Sequence, residues 1–373
     1  MERISTALDD LYGARVDPLI RKKGELHCIG LQADFPDDRF IDDADALLEK
    51  TIALAGGILL SPDLDGDLLR SDYVESEKNN LIDDIRSIIN DKRGYAVDRL
   101  IEEMCSNEAY SIRRLGSEDE AQSITARSLT DRYLQIVADS KIEIYYCGMA
   151  EPERVKAAIQ SAFGGLEKIS KIEIPQTSIV LYPPQDSPKR VTEVLDVTQG
   201  KLVIGFRMGK AMSGEPNYPA MMLLNSIYGS GVTSKLFVNV REKLALCYYA
   251  SSSLDKLKGV MLVSSGVEYS NFEIALAEIL AQLDNVKKGI ISETEIMSAK
   301  STIITSIKSS MDRPSGLMEL YFDGSVSAMQ YDPLELCAMI EDVTIGQIAD
   351  IASEVTADTI YFLTGEDDDG IRN

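Results

Sequence analysis

SKLFVNVREKLALCYYASSSLDKLKGVMLVSSGVE, Ser234 to Glu268, is the stretch that decides the fold. Its apolar spacing predicts a helix through Leu246, a strand ending near Ser253, a turn at DKLKG, and a second strand from Val260. The same order of signals occurs near the start of the chain. A helix-like stretch, Ile4 to Tyr12, meets a polar break and then the strand-like LHCIGLQADF, Leu26 to Phe35. Both blocks run on into amphipathic helices that finish in glycine, FIDDADALLEKTIALAGG (Phe40 to Gly57) and FEIALAEILAQLDNVKKG (Phe272 to Gly289). Long helices follow, Tyr73 to Asp91 and Glu293 to Asp312. Each copy then closes on a helix and a β-rich strand, Ser128 to Gly148 and Thr344 to Gly365. A repeat of this period is one α+β unit used twice.

The prolines and polar residues of LYPPQDSPKR, residues 181 to 190, mark a linker between an N-terminal domain, 1–180, and a C-terminal domain, 191–373. The predicted fold class is therefore α+β, with two tandem homologous domains. Each is expected to be a mainly antiparallel sheet with helices packed on one face. The second copy carries an extra leading piece, strand material from Val191 to Gly209 and a helix-like Pro216 to Gly231. Nothing equivalent precedes Ile4, so the first domain is expected to lack its leading strand and helix, roughly 40 residues by the repeat alignment.

Composition narrows the function. A chain of 373 residues, 45% of them hydrophobic, can bury two cores. The formal net charge of -23, with no basic stripe to offset it, argues against a nucleic-acid partner and is compatible with a basic peptide. No apolar run approaches the roughly 18 residues of a membrane span, and no leader-like apolar segment opens the sequence. Five scattered cysteines without a CxxC pair read as small buried hydrophobes in a reducing compartment. The expected location is the cytoplasm.

The block LLNSIYGSGVTSKLFVNVREKLALCYYASS, Leu223 to Ser252, resembles the C-terminal domain of the pitrilysin/insulinase zinc peptidases, in particular their mitochondrial-processing-peptidase-like branch. The resemblance rests on Gly229-Ser230-Gly231, on the helix start at Ser234-Lys235-Leu236-Phe237, and on Arg241 followed seven residues later by Tyr248. It implies that Arg241 and Tyr248 face a peptide substrate across a chamber from the zinc. A guanidinium fork can clamp a carbonyl or carboxylate, and a phenol can donate to a carbonyl. Without the resemblance, the same residues read as a solvated helix position and a strand-core aromatic.

Active members carry HxxEH on a helix, where two histidines hold zinc and the glutamate acts as general base. This chain has one histidine, His27, in a strand-like context that suits a packed residue better than a ligand. The resemblance places the downstream acidic pair at Glu77 and Asp84, which are degenerate zinc-site positions. An aspartate there is about 1.5 Å too short for a metal held at about 2.1 Å, and a solvated acidic face is the better reading. No catalytic residue, metal or cofactor is assigned to this chain, and zinc is expected in a partner subunit only. The resemblance implies a non-catalytic subunit that contributes peptide contacts to an HxxEH-bearing sister. A truncated form of an active zinc metalloendopeptidase and a peptidase-derived scaffold without turnover remain as alternatives.

Overall fold

A sheet covered on both faces sets one of the two units of the chain apart from the other. The computed structural model describes residues 2–41, 46–166, 176–209, 217–327 and 331–365. One unit comprises Met1–Arg86 with Arg114–Pro175, and the other Ser87–Arg113 with Gln176–Asn373.

The first unit opens with α1 (Glu2–Asp9) and a hairpin, β1 (Arg15–Lys23) against β2 (Leu26–Asp34), which sets Ile20 opposite Ile29. Then come α2 (Leu47–Leu60), a two-residue ladder of β3 (Leu64–Asp65) with β4 (Leu68–Leu69), and α3 (Ser71–Ser87). The next helix, α4 (Lys92–Met104), belongs to the other unit, while α5 (Glu118–Gln122), α6 (Ala126–Asp139) and α7 (Pro152–Phe163) return to the first. A small cluster of Leu11, Ala14 and Leu47, flanked by Phe35 and Leu54, forms a core. Arg154 of α7 ties down α2 through Glu49 at 2.7 Å. The strand expected at the close of this copy is a correction: residues 141–147 belong to no strand. β propensity rewards packing on a half-buried surface, whereas Ile142 and Ile144 are exposed.

The second unit is built on a five-stranded sheet of order β5-β9-β6-β8-β7. The strands are β5 (Lys189–Val194), β6 (Gly200–Arg207), β7 (Cys247–Asp255), β8 (Val260–Val267) and β9 (Thr356–Thr364). Only the β5–β9 pair is parallel. The expected DKLKG turn closes the β7–β8 hairpin. Asp255 accepts the N–H groups of Leu257 and Lys258 at 2.9 and 3.0 Å, and Gly259 takes φ +68°, a left-handed geometry that suits a residue without Cβ.

One face of the sheet, with Leu202, Ile204, Phe206, Met261, Val263 and Phe362, is covered by α8 (Asn217–Tyr228), α9 (Phe272–Lys287), α10 (Glu293–Met311), α12 (Pro333–Asp342) and α13 (Ile345–Glu354). Between α10 and α12 lies α11 (Pro314–Ser327). The helix starts are fixed by local chemistry: Ser292 with Glu295 and Thr344 with Gln347 form reciprocal capping boxes.

The opposite face is also covered, so the one-face arrangement expected from sequence is incomplete. Ala96, Leu100 and Met104, one per turn of α4, bury against Val203, Val260, Leu262, Tyr361 and Leu363. Residues 87–113 therefore pack with the C-terminal sheet although they precede the 181–190 linker, so the compact units are not the contiguous stretches 1–180 and 191–373. A buried charge cluster locks this arrangement. Arg207 bonds Glu108 at 2.5 Å and Asp358 at 2.9 Å, Lys258 meets Glu108 at 2.6 Å, and Arg207 also donates to the Met104 carbonyl at 3.3 Å.

Candidate functional site

Arg241 and Tyr248 stand at either end of one helix-to-strand connection. The helix expected from Ser234 is a π-helix over Leu236–Lys243, as in the bond from Leu244 N–H back to the Asn239 carbonyl at 3.1 Å. Its start is tied to α10 by Lys235 and Glu295 at 2.8 Å, and its middle to α9 by Asn239 and Gln282 at 2.8 Å. These contacts line a polar cavity of about 480 Å³. Ala245, at φ +49°, ends the helix in a conformation rare for a residue with a Cβ.

Arg241 lies in the last turn of the π-helix. Its guanidinium stacks on the Phe237 ring at 4.6 Å and meets Glu242 at 3.5 Å, with 40% of its side chain exposed. Tyr248 is the extra residue of a β-bulge, because Cys247 pairs with Val267 and Tyr249 with the next residue back, Gly266. The bulge turns Tyr248 outward, 60% exposed, while Cys247 stays buried. Burial pushes the Cys247 thiol up, against a hydrogen bond with Ser265 and the positive charge of Arg241. No direct bond joins Arg241 to Tyr248; each has its own acidic neighbour.

For Tyr248 that neighbour is Glu268, just past the end of β8. The phenol donates to the Glu268 carboxylate, and this bond with the attached charge holds the phenol above its ordinary pKa. Sequence reading missed Glu268, because it reaches Tyr248 only through the β7–β8 register. The arrangement offers an incoming peptide a planar donor fork and a phenol whose proton is committed to a carboxylate.

The degenerate metal positions are far less organised. Glu77 and Asp84 are exposed on α3, about 10 Å apart along the helix axis, and Glu77 accepts from the Asn80 amide at 3.3 Å. His27 is exposed on β2, opposite Lys22. Among the described residues no group of three or more His, Cys, Asp or Glu side chains could hold a metal ion. They do not fit a zinc site.

Comparison with known proteins agrees with this geometry. Residues 123–303 match the family described as "Peptidase M16 inactive domain". A Bacillus subtilis protein named "Probable inactive metalloprotease YmfF" is 34% identical over 359 residues, 96% of this chain and 83% of its own length. The chain belongs to the M16 peptidase family, and is of its inactive type. Among solved structures, a conserved protein from Enterococcus faecalis V583 superposes with a TM-score of 0.89 at 26% identity, over 98% of this chain and 85% of that one. An M16 inactive domain from Pseudomonas fluorescens shares the fold, with a TM-score of 0.73 at 15% identity over 97% of this chain and 83% of that one. The α+β fold read from the repeat and the family indicated by the resemblance are thereby established. Among the described residues no helix is long and apolar enough to cross a membrane.

Proposed function

We propose that this M16 chain is the zinc-free subunit of a two-chain, clamshell-like peptidase, in which an HxxEH-bearing sister supplies the catalytic centre. The observation that carries the reading is the outward placement of Arg241 and Tyr248 on a π-helix and a β-bulge, two local irregularities that keep both polar ends out of the core. The sister's zinc would activate the attacking water. Arg241 binds a peptide carbonyl or carboxylate through its fork. Tyr248 exchanges Glu268 for a substrate carbonyl, so substrate binding and release of the Glu268 bond are one event. A cytoplasmic location is part of the same proposal, and the cysteines among Cys28, Cys105, Cys147, Cys247 and Cys337 are all free thiols.

The test is cleavage of a fluorogenic peptide by the reconstituted pair. Arg241→Ala and Tyr248→Phe are expected to lower kcat/KM by roughly 10- to 100-fold, the loss of one charge-assisted hydrogen bond of about 1.5 to 3 kcal/mol. Melting temperature is expected to stay nearly unchanged, as for most surface substitutions. Unaltered turnover with both substitutions would favour a scaffold that takes no part in peptide handling.

A further inference from the structure

On the α4-covered face of the C-terminal sheet, cations are paired almost by rule. Arg99 meets Glu193 at 3.0 Å and Arg207 meets both Glu108 and Asp358. Two cations beside them are not. Arg93, in the first turn of α4, and Lys201, on β6, have no carboxylate of a described residue within 4.0 Å, in a chain whose net charge is -23.

Their placement is specific. Lys201 pairs with Gly266 and Gly266 pairs with Tyr249, so three adjacent strands set Lys201, Gly266 and Tyr249 in one row. Neighbouring strands about 4.8 Å apart put the Lys201 and Tyr249 backbones about 10 Å from each other. Gly266 is the floor. A Cβ there would lie 2.5 Å from a Tyr249 ring carbon and 2.8 Å from the Gln199 side-chain oxygen, so only glycine lets the ring lie over the sheet. Arg93 stacks on that ring, its Cζ 4.3 Å from the centroid, and donates to the Ser251 hydroxyl at 2.9 Å. Lys201 donates to the Gln199 oxygen at 2.5 Å, and burial lowers its pKa.

Two further observations describe the surroundings of these cations. Ser264, on the same face two residues before Gly266, is 7% exposed, and its hydroxyl lies buried against that of Tyr249, where burial raises the phenol's pKa and the contact with Ser264 opposes the rise. Asp91, the acidic group whose charge reaches Tyr249, accepts the N–H groups of Arg93 and Gly94 through Oδ1 at 3.1 Å each. It is therefore committed to capping α4.

We propose that Arg93, over the Tyr249 ring, and Lys201, two strands away across the Gly266 floor, form a binding site for a peptide carboxylate. Arg93 supplies a planar fork preoriented by the aromatic ring, and Lys201 a partly desolvated point charge. The inference rests on the reading of this chain as a peptide-contacting subunit and gives that reading a substrate preference.

The test uses the full chain alone, without a catalytic sister, so that its failure is distinct from failure of the cleavage assay. Calorimetric binding is measured for Ac-Ala-Ala-Glu-Ala-Ala-NH2 against its Gln counterpart, and for an acetylated pentaalanine acid against its amide. At least one acid is expected to bind roughly tenfold more tightly than its neutral twin, the effect of one charge-assisted bond. The pair that shows the preference identifies the carboxylate as side-chain or C-terminal. Arg93→Gln and Lys201→Met are each expected to remove most of the preference with unchanged melting, while Arg93→Lys retains part of it. Equal binding within both pairs, or an acid preference that survives both Arg93→Gln and Lys201→Met, overturns the proposal.

Discussion

Glu108 carries an unusual share of the stability at the scale of single residues. It lies between Arg207 and Lys258, both essentially inaccessible, and so balances two charges that water cannot reach. Glu108→Ala is expected to cost about 3 to 5 kcal/mol, read from urea unfolding, because a buried charge is left uncompensated. Burial pushes the Glu108 carboxyl up, but the bonds from Arg207 and Lys258 outweigh it and hold the pKa below the ordinary 4.5. A depressed carboxyl contributes stability that is present above its unfolded pKa and lost as pH falls through the folded one. Unfolding free energy is thus expected to drop below about pH 4.5, and less steeply in Glu108→Gln. Arg241 and Tyr248 were singled out because they fall in one local block, Leu223 to Ser252, that carries the family resemblance. Glu268 and the Arg93–Lys201 pair were not, since strand register and helix docking bring them to their neighbours from 20 or more residues away.

Among elements, α4 shows how far periodicity reaches. It was not singled out in the sequence, and an apolar stripe does not by itself say which sheet buries it. Leu100→Ala is expected to destabilise the C-terminal unit by about 2 to 5 kcal/mol, since the side chain is fully buried between α4 and the sheet. Gly205→Val tests the same contact from below. Even a Cβ at Gly205 would lie 2.4 Å from the Met104 sulfur and 3.1 Å from Leu100, so the valine is expected to lower the melting temperature more than the alanine. The π-helix was read as an ordinary helix because its extra residue per turn leaves no signature in apolar spacing this short. Residues 141–147 failed as a strand for the opposite reason: the propensity was present and the half-buried surface was not.

The whole molecule combines two units with unequal cores. The C-terminal sheet is covered on both faces, whereas the β1–β2 hairpin contains only one buried position, Gly24 in its turn. Amides of β6, β8 and β9 are therefore expected to exchange far more slowly than those of β1 and β2, measurable by hydrogen exchange, and similar protection in both would contradict the difference in packing. Under the proposed function, an M16 chain of the inactive type, with no assembled metal cluster among its described residues, would take its chemistry from a second subunit. The most direct measurement combines metal analysis with peptide cleavage on this chain alone, on an HxxEH-bearing sister, and on their mixture. The account predicts no stoichiometric zinc and no chelator-sensitive turnover by this chain, and chelator-sensitive turnover by the pair that depends on both chains. One equivalent of tightly held zinc together with chelator-sensitive cleavage by this chain alone would contradict it.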